Sequence, residues 1–241
     1  FEEMKNINMR GTENVVNVAI SSGVKKLCHI SSIAALGEAI GDKFVNEEDF
    51  FNLDGLNTNY AITKFGAEME AWRATQENID VIIVNPGIII GEGNWNSGSG
   101  QLITETDNGN KYYTSGSSGF VDVRDVALAV QKLTEGSFKN NRYILVSENK
   151  NYRDILDQIA LTLQKRKPYI HLNSSLLKTV SYFLKILKLL GFNRQLSMAR
   201  VHSFTSKTKY SNAKIKKTIG LEFTPIQETI KRVTAFYKTR Y

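Results

Sequence analysis

Apolar residues recur at helical spacing from about Met4 to Ser22, at Met9, Val15, Val16, Ala19 and Ile20. Gly23 then stands where a glycine ends a helix. Val24–Ile30 reads as a strand, and Val81–Val84 and Tyr143–Val146 are short apolar runs of strand length. Asn59–Gln76, Arg124–Thr134 and Tyr152–Leu163 read as further helices, with Phe120–Val123 as a short extended piece. Glu38–Asn57 is polar and irregular, and Gly87–Gly119 is glycine-rich with weak periodicity. Beyond Pro168 the pattern is mostly helical, with a polar break over His202–Asn212. Strands alternating with helices predict βαβ units and a parallel sheet. Three firm strands fall short of the roughly six of a doubly wound sheet.

Composition narrows this picture only modestly. The 241 residues are 41% apolar and 23% charged, enough for a sizeable core. Cys28 is the single cysteine, so no internal disulfide forms and a reducing, cytoplasmic setting is expected. Its apolar neighbours mark it as a buried, inert thiol. The net charge is +7, but the lysines are dispersed and no basic-aromatic module stands out, which argues against nucleic acid as a partner. No run of about 18 uncharged apolar residues exists, so no membrane span is expected. Leu176–Leu190, interrupted by Lys178, Lys185 and Lys188, reads as an amphipathic helix packed on its own domain.

The candidate chemistry lies in Asn59-Tyr60-Ala61-Ile62-Thr63-Lys64, at the start of a predicted helix. Residues i and i+4 share one helical face, so a phenol and an ammonium reach one small volume. The strand Leu27-Cys28-His29-Ile30 ends in Ser31 and Ser32, hydroxyls that could join them. A phenol titrates near pH 10, about three units from a useful base at neutral pH, or roughly 4 kcal/mol. An ammonium about 5 Å away at an effective dielectric near 20 supplies roughly 3 kcal/mol of that. Such a group can move a proton to or from an alcohol or carbonyl. On its own, a tyrosine and a lysine one turn apart are more often a solvated helix face.

Four more segments accompany the pair in order: Asn8-Met9-Arg10-Gly11-Thr12, His29-Ile30-Ser31-Ser32-Ile33-Ala34-Ala35-Leu36-Gly37, Val84-Asn85-Pro86-Gly87-Ile88-Ile89-Ile90-Gly91 and Phe120-Val121-Asp122-Val123-Arg124-Asp125. Together they resemble the extended short-chain dehydrogenases/reductases, the NAD-dependent epimerase/dehydratase family, and within it the dihydroflavonol-reductase branch. The resemblance is clear from about Asn8 to Thr134. It implies an α/β fold, an incomplete Rossmann-type parallel sheet with flanking helices over residues 1–147. A smaller, mostly helical substrate domain would follow over 148–241, with 88–119 contributing to the substrate side. It implies Ser32, Tyr60 and Lys64 as catalytic residues, with Ser31 as understudy to Ser32. It implies Asn8, Ser31, Tyr60, Lys64, Pro86, Gly87, Ile88 and Ile89 beside an NAD or NADP cofactor. The expected activity is hydride transfer between that nicotinamide and a small hydroxy or carbonyl compound. Nucleotide-sugar epimerisation or dehydration, and a non-catalytic cofactor sensor, are the alternatives. A sugar nucleotide would need convergent cations, for which Arg194 and Arg200 are candidates. The expected partner is a small-molecule substrate, with a homodimer left open.

Gly91-Glu92-Gly93-Asn94-Trp95-Asn96 is no dinucleotide fingerprint, because position 96 is not glycine. Asn94, Trp95 and Asn96 are expected to face substrate from a loop. Asp122 and Asp125 read as charges on the first turn of a helix. His29 reads as a core histidine with its hydrogen bonds satisfied. His171 and His202 have no recognisable metal partner, so no metal site is expected. The family's glycine-rich phosphate loop would precede Asn8, where almost nothing stands. The sequence therefore reads as N-terminally truncated, with the strand at Val24–Ile30 left unpaired on one edge. This chain alone is expected to hold the dinucleotide weakly.

Overall fold

The computed structural model describes residues 1–37, 43–189 and 197–240, with side chains omitted for 183–189. The chain opens with one helical turn, α1 (Glu2–Lys5), a wider π-type turn (Asn6–Arg10) and α2 (Gly11–Ser21). Gly23 follows at φ +62°, the left-handed conformation that ends helices. β1 (Lys26–Ile30) leads through a single turn at Ile33–Ala35 to α3 (Asn59–Arg73). Thr58 caps α3, its Oγ1 accepting from the Ala61 N–H at 3.1 Å. The middle of the chain forms β2 (Asp80–Pro86), β3 (Ile88–Ile90), α4 (Gly100–Asp107), β4 (Tyr112–Tyr113) and β5 (Ser117–Asp122). Then come α5 (Val123–Glu135), β6 (Asn141–Leu145), β7 (Glu148–Asn151), α6 (Tyr152–Leu163) and β8 (Ile170–His171). Helices α7 (Ser174–Leu189), α8 (Met198–Thr205), α9 (Ala213–Ile219) and α10 (Ile226–Lys238) complete it.

β1, β2 and β6 form a parallel sheet in the order β1-β2-β6. Successive side chains of a strand point to opposite faces, and β2 shows it residue by residue. Val81 and Ile83 pack with Val16 and Ala19 of α2 and Ala71 of α3. Ile82 and Val84 pack on the other face with Val126, Ala129 and Leu133 of α5. The three strands expected from sequence are these three, sandwiched between helices as a Rossmann-type sheet requires. Among the described residues, no strand pairs with the outer edge of β1.

A second sheet, β3-β5-β7, was legible only in part: Phe120–Val123 marked the end of β5. β3 runs parallel to β5, and β7 antiparallel to it. It carries a second core, in which Ile90 and Phe120 meet Ile155 and Ile159 of α6 and Ile230 and Val233 of α10. The segment after 148 serves both cores, because Ile215 of α9 and Leu221 pack beside Ile82, Val84 and Leu145.

Two helical expectations change. His202 lies inside α8, so the polar break shrinks to Ser206–Asn212. α7 turns Leu177 and Ser181 inward but leaves Leu176, Val180 and Tyr182 exposed, so only part of its apolar surface packs on the protein. Leu190 and Arg194 lie outside the described residues, as does the 38–42 part of the irregular segment.

Gly87 sits where β2 passes into β3, and a Cβ there would stand 2.4 Å from the Gly119 carbonyl oxygen. At Gly66 the obstacle is the tip of the flexible Met9 side chain, also at 2.4 Å. Gly87→Ala is therefore expected to destabilise by about 1–3 kcal/mol, and Gly66→Ala by clearly less. Urea unfolding of the two variants checks the order.

Candidate active site

The C-terminal ends of β1 and β2 open onto a cavity of about 480 Å3. Ser31, Ser32 and Tyr60 line it from one side, and Pro86, Gly87, Ile88 and Ile89 from another. The far wall, which sequence reasoning missed, comes from Ser118, Tyr152, His202, Ser203, Thr208 and Tyr210. Those residues are scattered over almost a hundred positions, with no spacing that could have flagged them.

Ser32 is the N-cap of the turn at Ile33–Ala35. Its Oγ accepts from the Ala34 N–H at 3.1 Å, and its carbonyl accepts from Asn85 Nδ2 at 3.0 Å. Both contacts fix the residue, and the hydroxyl keeps its own proton to donate. Tyr60 stands in the first turn of α3 with 45% of its surface exposed. Ser31 differs from its neighbour. It is buried, and its Oγ donates to Glu68 Oε2 at 2.6 Å, so its proton is directed away from the cavity.

Lys64 follows Tyr60 by one turn but opens onto a second cavity, of about 380 Å3, lined also by Asn8, Gly11, Thr12 and His29. Its ammonium donates to the Ile30 carbonyl at 2.8 Å, which leaves two N–H groups for other acceptors. Burial lowers the Lys64 pKa, and the Glu68 carboxylate opposes the shift. Asn8 occupies the π-type turn, with Nδ2 donating to Thr63 Oγ1 at 3.0 Å. Tyr60 and Lys64, expected to meet in one volume, line different cavities, Tyr60 the first and Lys64 the second.

His29 is not satisfied. Its Nε2 is buried without a hydrogen-bond partner, on the wall of the second cavity. Burial first, and the Lys64 charge second, lower its pKa to about 4. Cys28 is half-buried, less than expected, and moves the opposite way: burial raises its thiol pKa.

The loop after β3 corrects the remaining expectation. Trp95 is buried, edge-on to the Tyr237 ring at 5.1 Å and 6.4 Å from that of Phe236. It packs on α10 and does not line the cavity. Asn94 and Asn96 are exposed and bonded to each other, the Asn96 N–H donating to Asn94 Oδ1 at 2.9 Å, and neither lines the cavity. Ser99 of the same loop does line it. Asp122 caps α5 as expected, accepting from the Arg124 N–H at 2.8 Å, and also bonds Thr229 and Arg232 of α10.

Residues 1–118 match the NAD-binding family model described as male sterility protein. A Synechocystis protein that carries the name dihydroflavonol 4-reductase is 27% identical over 238 residues, covering 95% of this chain and 69% of the relative. The cinnamoyl-CoA reductase CAD2 of Medicago truncatula is 28% identical over 245 residues, covering 96% of this chain and 66% of the relative. The crystal structure of gox2253 superposes with a TM-score of 0.87 at 25% identity, over 99% of this chain and 74% of that one. The chain is thus similar to named reductases over 95–96% of its length, and its N-terminal half to an NAD-binding family model. The family model that matches residues 1–118 is an NAD-binding one, and the group it implies is NAD or NADP. The second cavity fits part of such a group, since Asn8, Thr12 and Lys64 present hydrogen-bonding groups and His29 Nε2 lacks a partner. No helix among the described residues is long and apolar enough to cross a membrane.

Two outcomes follow from this geometry. A histidine whose folded pKa lies below its unfolded value favours the neutral form in the fold. Its contribution is complete above the unfolded value near 6.5 and is lost as pH falls towards about 4. The full swing is about 3 kcal/mol. His29→Gln is expected to remove that part of the acid sensitivity, seen as a shallower fall of the urea midpoint between those pH values. Arg142 Nη1 lies 3.4 Å from the fully buried Glu68 carboxylate. Arg142→Met is expected to cost about 3–5 kcal/mol by stranding that charge, and adding Glu68→Gln should restore much of the loss in the same assay.

Proposed function

We propose that the protein is a cytoplasmic NAD(P)-dependent reductase of a small, uncharged hydroxy or carbonyl compound. The observation that carries this reading is the shared cavity of Ser32 and Tyr60, whose described lining contains no Lys, Arg, Asp or Glu. A sugar nucleotide brings a diphosphate and calls for cations. A neutral lining of hydroxyls, aliphatic groups and aromatic rings favours an uncharged compound instead. Phe51, Tyr152 and Tyr210 offer flat apolar surface to such a molecule, and the names of the relatives support an aromatic one.

In this reading Tyr60 gives its proton to the carbonyl oxygen in reduction and takes it back in oxidation. Ser32, fixed through its carbonyl and Oγ, donates a hydrogen bond to the same oxygen. Lys64 and Asn8 hold the nicotinamide ribose from the neighbouring cavity, and Pro86 to Ile89 form the wall beside the nicotinamide. When bound, the nicotinamide supplies or accepts the hydride. Residues 88–119 and 148–241 form the substrate side, through Ser99, Ser118, Tyr152, His202 and Tyr210.

Tyr60→Phe tests the assignment. An acid/base tyrosine predicts a loss of kcat by orders of magnitude with cofactor affinity retained, read by nicotinamide absorbance and by titration. A non-catalytic sensor loses nothing, and unchanged turnover would reject the role given to Tyr60.

A further inference from the structure

The charge of this chain is divided very unevenly. Residues 158–221 contain no acid and 13 of the 31 Lys and Arg residues, and the rest of the chain carries the other 18 against all 24 acids. A net +13 therefore lies on one 64-residue segment and a net −6 on the remainder, which together give the chain's +7. The segment includes α7 and α8. Lys165 and Lys167 are ion-paired, to Asp107 at 3.0 Å and Asp157 at 3.7 Å. Among the described residues, Lys178, Arg200, Lys207, Lys216 and Lys217 have no ion-pair partner.

Apolar exposure lies in the same segment. On α7, Leu176 and Val180, one turn apart, are 45% and 39% exposed, and Tyr182 is 71% exposed. On α8, which packs against α7, Met198 and Phe204 are each 42% exposed. A helix that shows apolar side chains and a tyrosine to solvent, amid lysines and no acids, has the chemistry of a helix lying in a lipid interface. Its apolar groups enter the acyl boundary while its lysines meet anionic headgroups.

From this charge complementarity and apolar exposure we propose that the α7–α8 region docks on an anionic lipid surface. Ala199, His202 and Ser203 of α8 line the cavity that holds Tyr60, so docking brings one wall of that cavity to the membrane. An apolar compound dissolved in the lipid then has a short path to it.

The test uses the whole chain, with vesicles of phosphatidylcholine alone and of phosphatidylcholine mixed with phosphatidylglycerol. Co-sedimentation is expected only with the mixed vesicles and is expected to fall at high salt. Lys178→Gln and Arg200→Gln should each weaken it about fivefold. Leu176→Asp combined with Val180→Asp should abolish it, while circular dichroism and the thermal midpoint stay near the parent values because both positions are exposed. Failure to sediment with phosphatidylglycerol at low salt would overturn the proposal. So would undiminished sedimentation of the double variant. Retention on a DNA duplex that withstands high salt, without vesicle binding, would reassign the basic surface to nucleic acid and also overturn it. None of these readings depends on catalysis, so failure here leaves the Tyr60 assignment to its own assay.

Discussion

The carboxylate of Glu68 is fully buried, and the walls of the candidate site are fixed by what it holds. Ser31 Oγ at 2.6 Å and Asn85 Nδ2 at 2.9 Å donate to one of its oxygens, and Arg142 Nη1 approaches the other at 3.4 Å. These groups come from the end of β1, the end of β2 and β6, while Glu68 itself rides on α3. A buried charge is stable only when donors replace its lost water. The arrangement therefore ties the helix bearing Tyr60 and Lys64 to the strand ends bearing Ser32 and Pro86.

The same arginine extends the tie to a segment with little regular structure. Arg142 Nε donates to the Glu47 carbonyl at 2.6 Å and Nη2 to the Asp49 carbonyl at 3.0 Å. Glu47 answers by accepting from the Ile144 N–H at 2.9 Å. Just beyond this clamp, Phe51 stacks on Phe65 of α3 at 4.6 Å and lines the cavity. One guanidinium thus positions both the strand layer and the loop that closes the near side of the site.

Much of this was legible residue by residue, and the exceptions share a physical cause. β1, β2, β6, α3, α5 and α6 stood out because their periodicities match the faces they bury. β7 (Glu148–Asn151) is polar throughout and exists because β5 offers it an edge. α4 begins at Gly100, where a Cβ would stand 2.2 Å from the Asn94 carbonyl oxygen, so tertiary packing sets it more than propensity does. Trp95 misled because its glycine-rich flanks look solvated, while its partners Phe236 and Tyr237 lie far along the chain. Glu68 gave no signal at all, since an acid on a helix reads as surface until Arg142 is seen beside it. Ser32, Tyr60 and the Pro86–Ile89 wall were placed together by sequence; the far wall, drawn from distant segments, was not.

Tyr60 keeps nearly half of its surface open to solvent. No carboxylate and no lysine lines its cavity among the described residues. In the role proposed for Tyr60, no such side chain of that lining stands ready to return a proton, and the open side leaves bulk water as the route.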